Sequence, residues 1–507
     1  MFGEAERRRK ADEVSSNLTM QIFSRPRSIE PRNGFAWLAL VIVFVAFAAV
    51  VARSPAVGYV AAGCLVLGLI AWPRWINRDI EYFAGAVLIT SALLGLPRLI
   101  QIGSYSLDAA LSIAIVVWAA LLLARDSWDI DVAWRWLWPI VLFVGWSYAS
   151  FLRRPPTSSG LQNVLAYTGF LAIATVTIVR TMSEPRLART IERLFERVYW
   201  LLIAFEAASI IVRGPGAGFL LGPHGTSRSF GLVALLGVAG GLARWRYGDK
   251  QRGVAMAASG ILLIALSLSR TAFLITCLLI PLSWFSLRSL ATFVRMFAIT
   301  AVAVAVVVAS VLFIRPLHDR FFPPTGDFVK VGQYDLNTNG RKLLWSVTWQ
   351  DYLRSPIVGN GAGASEEAVS LVSQAGHPHN DYLRLLDDYG IVGTALWALG
   401  AIVVLGGLIR AWARADGRDD PRSRFFLWAW LAVIAMLLSM VTDNPLVYLH
   451  VQGPLALIVG VAIGLAERRS PEGLVSSLAF RPEGTIVREF RPTNGHGGSI
   501  VGTDPAR

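Results

Sequence analysis

Apolar stretches long enough to cross a bilayer recur along this chain, and they restrict its fold more than any other feature. They fall at 35–52, 56–72, 80–97, 107–124, 134–152, 161–179, 198–212, 229–243, 253–268, 271–287, 293–314, 389–409, 425–442 and 446–466. Many of them reach about 17–22 residues, which at 1.5 Å per residue spans a ~30 Å hydrocarbon core. A soluble domain interrupts its apolar runs with polar positions every few residues. A mean hydropathy of +0.53 and a hydrophobic content of 54% therefore place the chain among integral membrane proteins. Lipid leaves no water for an exposed backbone, so such runs become helices. The predicted fold is all-α, a polytopic transmembrane bundle of about 12–14 spans with one long extracytoplasmic loop that contains short helices.

The net charge of +13 would suit a nucleic-acid binder if it formed one stripe. It lies instead in the short gaps between apolar runs, where it reports topology and contact with anionic lipid, so nucleic acid is not an expected partner. With the N-terminus inside, the short inner gaps hold 20 basic residues, among them Arg180, Arg244, Arg246, Arg410 and Arg424. The short outer gaps hold 7: Arg53, Arg98, Arg153, Arg154, Arg213, Arg228 and Arg270. This asymmetry puts both termini in the cytoplasm. The expected organisation is a cytoplasmic tail at 1–34, spans within 35–314, an extracytoplasmic loop at 315–388, spans within 389–466, and a disordered cytoplasmic tail at 467–507 rich in Pro, Gly, Ser and Arg. Charged residues precede the first apolar run, which favours an uncleaved signal anchor over a cleaved leader. The sequon Asn17-Leu18-Thr19 sits in that tail and reads as chance. The two cysteines, Cys64 and Cys277, each lie inside an apolar run and read as small core residues.

The chain gives most of its mass outside the membrane to the loop 315–388. Arg341–Arg354 alternates Leu, Trp and Tyr with charge in the manner of an amphipathic helix on a membrane surface. Pro356, Gly359, Gly361 and Gly363 then mark a turn region. His377-Pro378-His379-Asn380-Asp381 leads into a helix re-entering the membrane, which Asn380 or Asp381 would cap. The two histidines are compatible with surface residues beside a cap and, less well, with metal ligands, since His-x-His lacks neighbouring Cys or clustered carboxylates. They are also compatible with a general base, because a neutral imidazole can accept a hydroxyl proton near neutral pH. Arg228 and Arg270 stand at outer helix ends, where an arginine either snorkels to the surface or grips an anion such as a diphosphate. Asp129-Ile130-Asp131 falls on the cytoplasmic side and reads as a solvated loop. Asp443-Asn444-Pro445 reads equally as a turn or as the border of a cavity.

Together these residues resemble the O-antigen ligase and polysaccharide polymerase superfamily of bacterial membranes. The likeness is strongest in His379-Asn380-Asp381-Tyr382-Leu383, Leu385-Leu386 and Gly390-Ile391-Val392-Gly393. It extends to Gly340-Arg341 through Trp345, to Ser355-Pro356-Ile357-Val358-Gly359-Asn360-Gly361, and to Ser269-Arg270-Thr271, in the family's order, over about residues 220–400. The resemblance implies a glycosyltransferase that moves a glycan from an undecaprenyl-diphosphate carrier to an acceptor hydroxyl outside the cytoplasm. It works without metal or other cofactor, in the bacterial cytoplasmic membrane. His379, Arg270 and Arg228 would be catalytic; Arg341, His377, Asn380 and Tyr382 would bind substrate. The implied partners are the lipid-linked donor, a glycan or lipid acceptor, membrane lipids and a polysaccharide assembly complex. A transporter or flippase of lipid-linked glycan, or a scaffold within such a complex, would account for the same outer charges without bond chemistry.

Overall fold

The computed structural model describes residues 79–92, 101–102, 105–125, 130–213, 226–267, 269–285, 290–315, 318, 328–331, 334–337, 340–373, 376–416 and 420–468. The apolar runs at 35–52 and 56–72, the sequon, Cys64 and the tail beyond Arg468 lie outside the described residues. Within the described residues the other twelve apolar runs form helices. They are α1 (Asp79–Ala92), α2 (Leu107–Arg125), α3 (Ile130–Leu152), α4 (Ser158–Ser183), α5 (Arg186–Arg213), α6 (Thr226–Tyr247), α7 (Lys250–Leu266), α8 (Arg270–Ser283), α9 (Leu290–Phe313), α12 (Asp381–Asp416), α13 (Ser423–Ser439) and α14 (Leu449–Glu467). The loop between α9 and α12 carries two more, α10 (Arg341–Tyr352) and α11 (Ala364–Ser370). Two antiparallel two-stranded hairpins decorate this all-α fold: β1 (Gln101–Ile102) with β2 (Tyr105–Ser106), and β3 (Phe328–Val331) with β4 (Tyr334–Asn337).

Three described helices, α4, α12 and α14, are long and apolar enough by themselves to cross a membrane. α4 and α14 are the buried centre, and α1, α2 and α3 pack round them. Large apolar side chains point outward elsewhere, including Ile211 at 83% exposed, Ile402 at 65% and Val302 at 64%. In water such surfaces would drive aggregation; in lipid they are the solvated face. α12 runs along α3 on glycines seven residues apart. A side chain at Gly393, Gly400 or Gly407 would strike Trp146, Ile140 or Trp136, so their absence is what lets these two helices approach.

Ionic contacts separate the two ends of the bundle. At one end Arg244 (α6) and Arg424 (α13) meet Glu192 of α5, each at 2.9 Å. At the same end Arg125 (α2) meets Asp79 (α1) at 2.5 Å, and Arg135 (α3) meets Glu467 (α14) at 2.9 Å. These are the residues that the charge count assigned to inner gaps. At the opposite end Arg153 and Arg154, from the α3–α4 turn, reach into the loop between α10 and α12. Successive helix ends thus alternate between the two ends as the apolar runs predict.

Candidate active site

The loop is fastened to the bundle where α12 begins. α12 is two helical segments joined at Gly390, whose φ of 67° and ψ of −173° belong to a backbone region that side chains rarely enter. The residues before it, Asp381–Tyr389, belong to the loop, and the membrane-spanning part follows. The strap Ser355–Gly361 lies across this kink and takes up the backbone groups that the break frees. Ile391 and Val392 donate their amides to the carbonyls of Pro356 (2.9 Å) and Ile357 (3.2 Å), while Asn360 and Gly361 donate theirs to Asp387 (2.7 Å) and Asp388 (3.0 Å). Arg153 holds the strap from outside, donating to the Val358 and Gly359 carbonyls at 3.0 Å.

His379 sits at the N-terminal edge of α12. Its φ of 52° makes it the sole non-glycine in the left-handed region among the described residues. Such strain persists only where the surroundings enforce it, and it clusters at functional sites. Here the enforcement is visible. The Trp345 indole of α10 donates to the Pro378 carbonyl (3.0 Å), and the Asp381 amide donates to the Met440 carbonyl (2.9 Å). Asn380 Oδ1 accepts the Leu383 amide at 3.1 Å, so of the two candidate caps it is Asn380 that serves. The His379 ring turns Nδ1 toward the turn between α13 and α14, 3.8 Å from Asp443 Oδ1 and 3.5 Å from Asn444 Nδ2. Nε2 is the other nitrogen of the ring.

The same turn meets α8. Thr271 and Thr442 share a hydroxyl–hydroxyl hydrogen bond of 2.6 Å, so the helix that opens at Arg270 abuts the residue preceding Asp443. Two motifs more than a hundred residues apart are thereby joined through a third segment. Arg270 is half-buried. Arg228 falls in the first turn of α6, at the same end of the bundle; its side chain lies outside the described residues.

Beneath His379 lies a buried polar chain. Arg384, fully buried, meets Asp381 at 2.6 Å and donates to Asn163 Oδ1 of α4 at 3.5 Å. Asn163 donates in turn to Glu366 of α11 (3.3 Å), whose carboxylate stands 3.0 Å from His377 Nδ1. Asp381 Oδ2 also accepts the Leu446 amide at 2.8 Å. Burial pushes the Asp381 carboxyl up to about 7, against the opposing pull of Arg384. Burial, reinforced by neighbouring Asp388, pushes Asp387 up to about 8. Among the described residues no three His, Cys, Asp or Glu side chains converge as metal ligands.

Residues 253–398, which hold Arg270, the strap and His379, match the O-antigen ligase family model. This segment is O-antigen ligase-like. No curated protein matches the chain.

Within the O-antigen ligase-like segment, His379, His377 and Asn380 cluster, and α8 places Arg270 beside the turn that faces them. Tyr382 points into the bundle, donating its hydroxyl to the Leu437 carbonyl (2.9 Å) and packing edge-on against Trp397. Arg341 opens α10 and is half-buried. Sequence reasoning missed Glu366, Arg384 and Asn163, and left Asp443 open between a turn and the border of a cavity. Charged residues inside the approach to a span, Arg384, Asp387 and Asp388, were the available signal. Arg384 and Asp381 stand three residues apart, a spacing that pairs them on one helix face, but Asn163 lies on α4 and no spacing could bring it to Arg384. His377 also differs from a surface histidine, because Glu366 and Tyr448 enclose it.

Proposed function

We propose that this membrane protein transfers a glycan from an undecaprenyl-diphosphate carrier to an acceptor hydroxyl, polymerising or ligating it on the extracytoplasmic side of the bacterial cytoplasmic membrane. Both termini are then cytoplasmic. The observation that carries this reading is the meeting of His379, the Asp443-Asn444 turn and the α8 end bearing Arg270, within and beside the O-antigen ligase-like segment.

In this reading Nε2 of His379 accepts the proton of the acceptor hydroxyl as its oxygen attacks the anomeric carbon. The bond from that carbon to the diphosphate oxygen breaks, and the electron pair leaves with the diphosphate. Asp443, at ion-pair distance from Nδ1, orients the ring and stabilises the imidazolium formed. Arg270 and Arg228 carry permanent charge for the leaving diphosphate, whose negative charge grows as the bond breaks. Asn380 and Tyr382 hold the start of α12 so that His379 keeps its strained backbone. His377 and Arg341 bind the substrate in this reading.

The test is His379→Ala and Arg270→Ala in the purified protein, supplied with lipid-linked donor and acceptor. Loss of a positioned general base lowers turnover by about 10²–10⁴-fold while the protein stays folded in the membrane. Normal glycosidic product from both variants refutes the assignment. A wild-type protein that moves donor lipid but forms no new bond would be a carrier.

A further inference from the structure

The outward residues of α10 are of two kinds. Leu344, Thr348 and Tyr352 form its buried face, and the helix packs against α12 and α11. Gln350 and Arg354 line a polar cleft toward α11, where Arg354 pairs with Asp351 at 2.6 Å. About 60–100° round the helix from Gln350 stand Lys342, Trp349 and Leu353. All three are exposed, and two are large and apolar. We infer that this edge of α10, with the strap that follows it, rests in the membrane leaflet at that end of the bundle, at the boundary between lipid headgroups and acyl chains.

Continuity with the lipid-facing surface of the bundle identifies the occupant. Leu353 is 51% exposed, and Ile357, four residues on in the strap, is 65% exposed. The Ile391 and Val392 amides donate to the Pro356 and Ile357 carbonyls, so the strap lies directly on the first turn of the spanning part of α12. Ile391 is itself exposed. From it Ala395, Leu399 and Ile402 follow at helical spacing, all exposed, along one face of the span. Such a face on a membrane-spanning helix is solvated by lipid. The apolar row on the loop extends it without a break.

The residue types along the row suit that depth. Trp349 presents an apolar ring with a polar N–H, the combination that favours the membrane–water boundary. Lys342, on the same edge of the helix, can lay its alkyl stem along the apolar surface and carry its ammonium to lipid phosphates. The Arg354–Asp351 pair is turned away toward the cleft. Lipid contact here also bears on the site. Trp345 of α10 donates to the Pro378 carbonyl beside His379, and the strap packs over Gly390. The leaflet thereby sets the depth at which His379 is held, whatever reaction occurs there.

The experiment reads depth in the full chain. Trp349→Cys, Leu353→Cys, Ile357→Cys and Gln350→Cys are made singly in a Cys64→Ala, Cys277→Ala background and labelled with a nitroxide. Each protein is reconstituted in vesicles of phosphatidylethanolamine and phosphatidylglycerol. Collisions of the label with oxygen, which concentrates in lipid, are compared with collisions with a water-soluble nickel chelate. The three labels on the row should lie about 5–10 Å into the headgroup–acyl boundary, while the Gln350→Cys label stays in water. Only variants that elute as wild type are scored, so misfolding of one row variant leaves two. Row labels that read as water, or a Gln350→Cys label that reads as lipid, overturn the inference. Row labels shielded from both reagents overturn it as well, since a second copy or another protein then covers the surface.

Discussion

Replacing Gly390 by alanine tests whether the kink in α12 is what seats the loop on the bundle. A Cβ at this position would stand 2.3 Å from the Ile357 carbonyl oxygen and 2.5 Å from the Gly359 nitrogen. Both are backbone atoms of the strap, so no side chain can swing aside. A non-glycine residue in this φ/ψ region carries about 1–3 kcal/mol of strain. Relieving the clash by moving the strap breaks the Ile391 and Val392 amide hydrogen bonds, each contributing about 0.5–1.5 kcal/mol. The total is about 2–6 kcal/mol, concentrated where α12 enters the membrane. Gly340→Ala is the control: its φ of 76° is also left-handed, but nothing lies within 4 Å of a Cβ there, so only about 1–2 kcal/mol is expected. Thermal unfolding of the detergent-purified protein should rank wild type above Gly340→Ala and Gly340→Ala above Gly390→Ala. Hydrogen exchange at Asn360, Gly361, Ile391 and Val392 should accelerate in Gly390→Ala alone. Equal melting of the two variants, with those four amides still protected, would refute the reasoning.

Two further outcomes follow from the buried polar chain. Arg384→Ala leaves Asp381 uncompensated in the interior and should destabilise by about 3–5 kcal/mol. Thermal melts of Arg384→Ala, Asp381→Ala and the double variant should show the double variant recovering part of that loss, and strict additivity would argue against the pairing. The folded chain raises the Asp387 carboxyl from its ordinary 3.8 to about 8. Between those values the native state therefore holds a proton that the unfolded chain has released, and stability falls as pH rises through that window. Asp387→Asn keeps an acceptor for the Asn360 amide and should flatten the decline in melting temperature from pH about 6 to about 8. An unchanged slope would mean that Asp387 titrates normally.

The apolar runs made the helices legible. Run length fixes what lipid permits, and all twelve runs within the described residues are helical. A cap at Asn380 or Asp381 was also readable, because capping is a local exchange between a side chain and an amide three residues on, and the structure chose Asn380. The strained backbone of His379 and the break at Gly390 were not. Gly-Ile-Val-Gly announces small residues, but only the strap lying across them requires a φ of 67° at Gly390. The hairpin of β3 and β4 is likewise a product of pairing.

By itself the sequence determined the solvent in which this protein folds, the alternation of its helix ends, and a histidine-bearing loop beside arginine-bearing helix ends. These follow from hydropathy and charge, which act position by position. Tertiary structure decided which of those residues meet. Asp443 faces His379, Thr271 holds Thr442, and Asn163 reaches Glu366 through contacts between segments far apart in the chain. Such pairings depend on how helices pack against one another, and no local pattern encodes a distance of that kind.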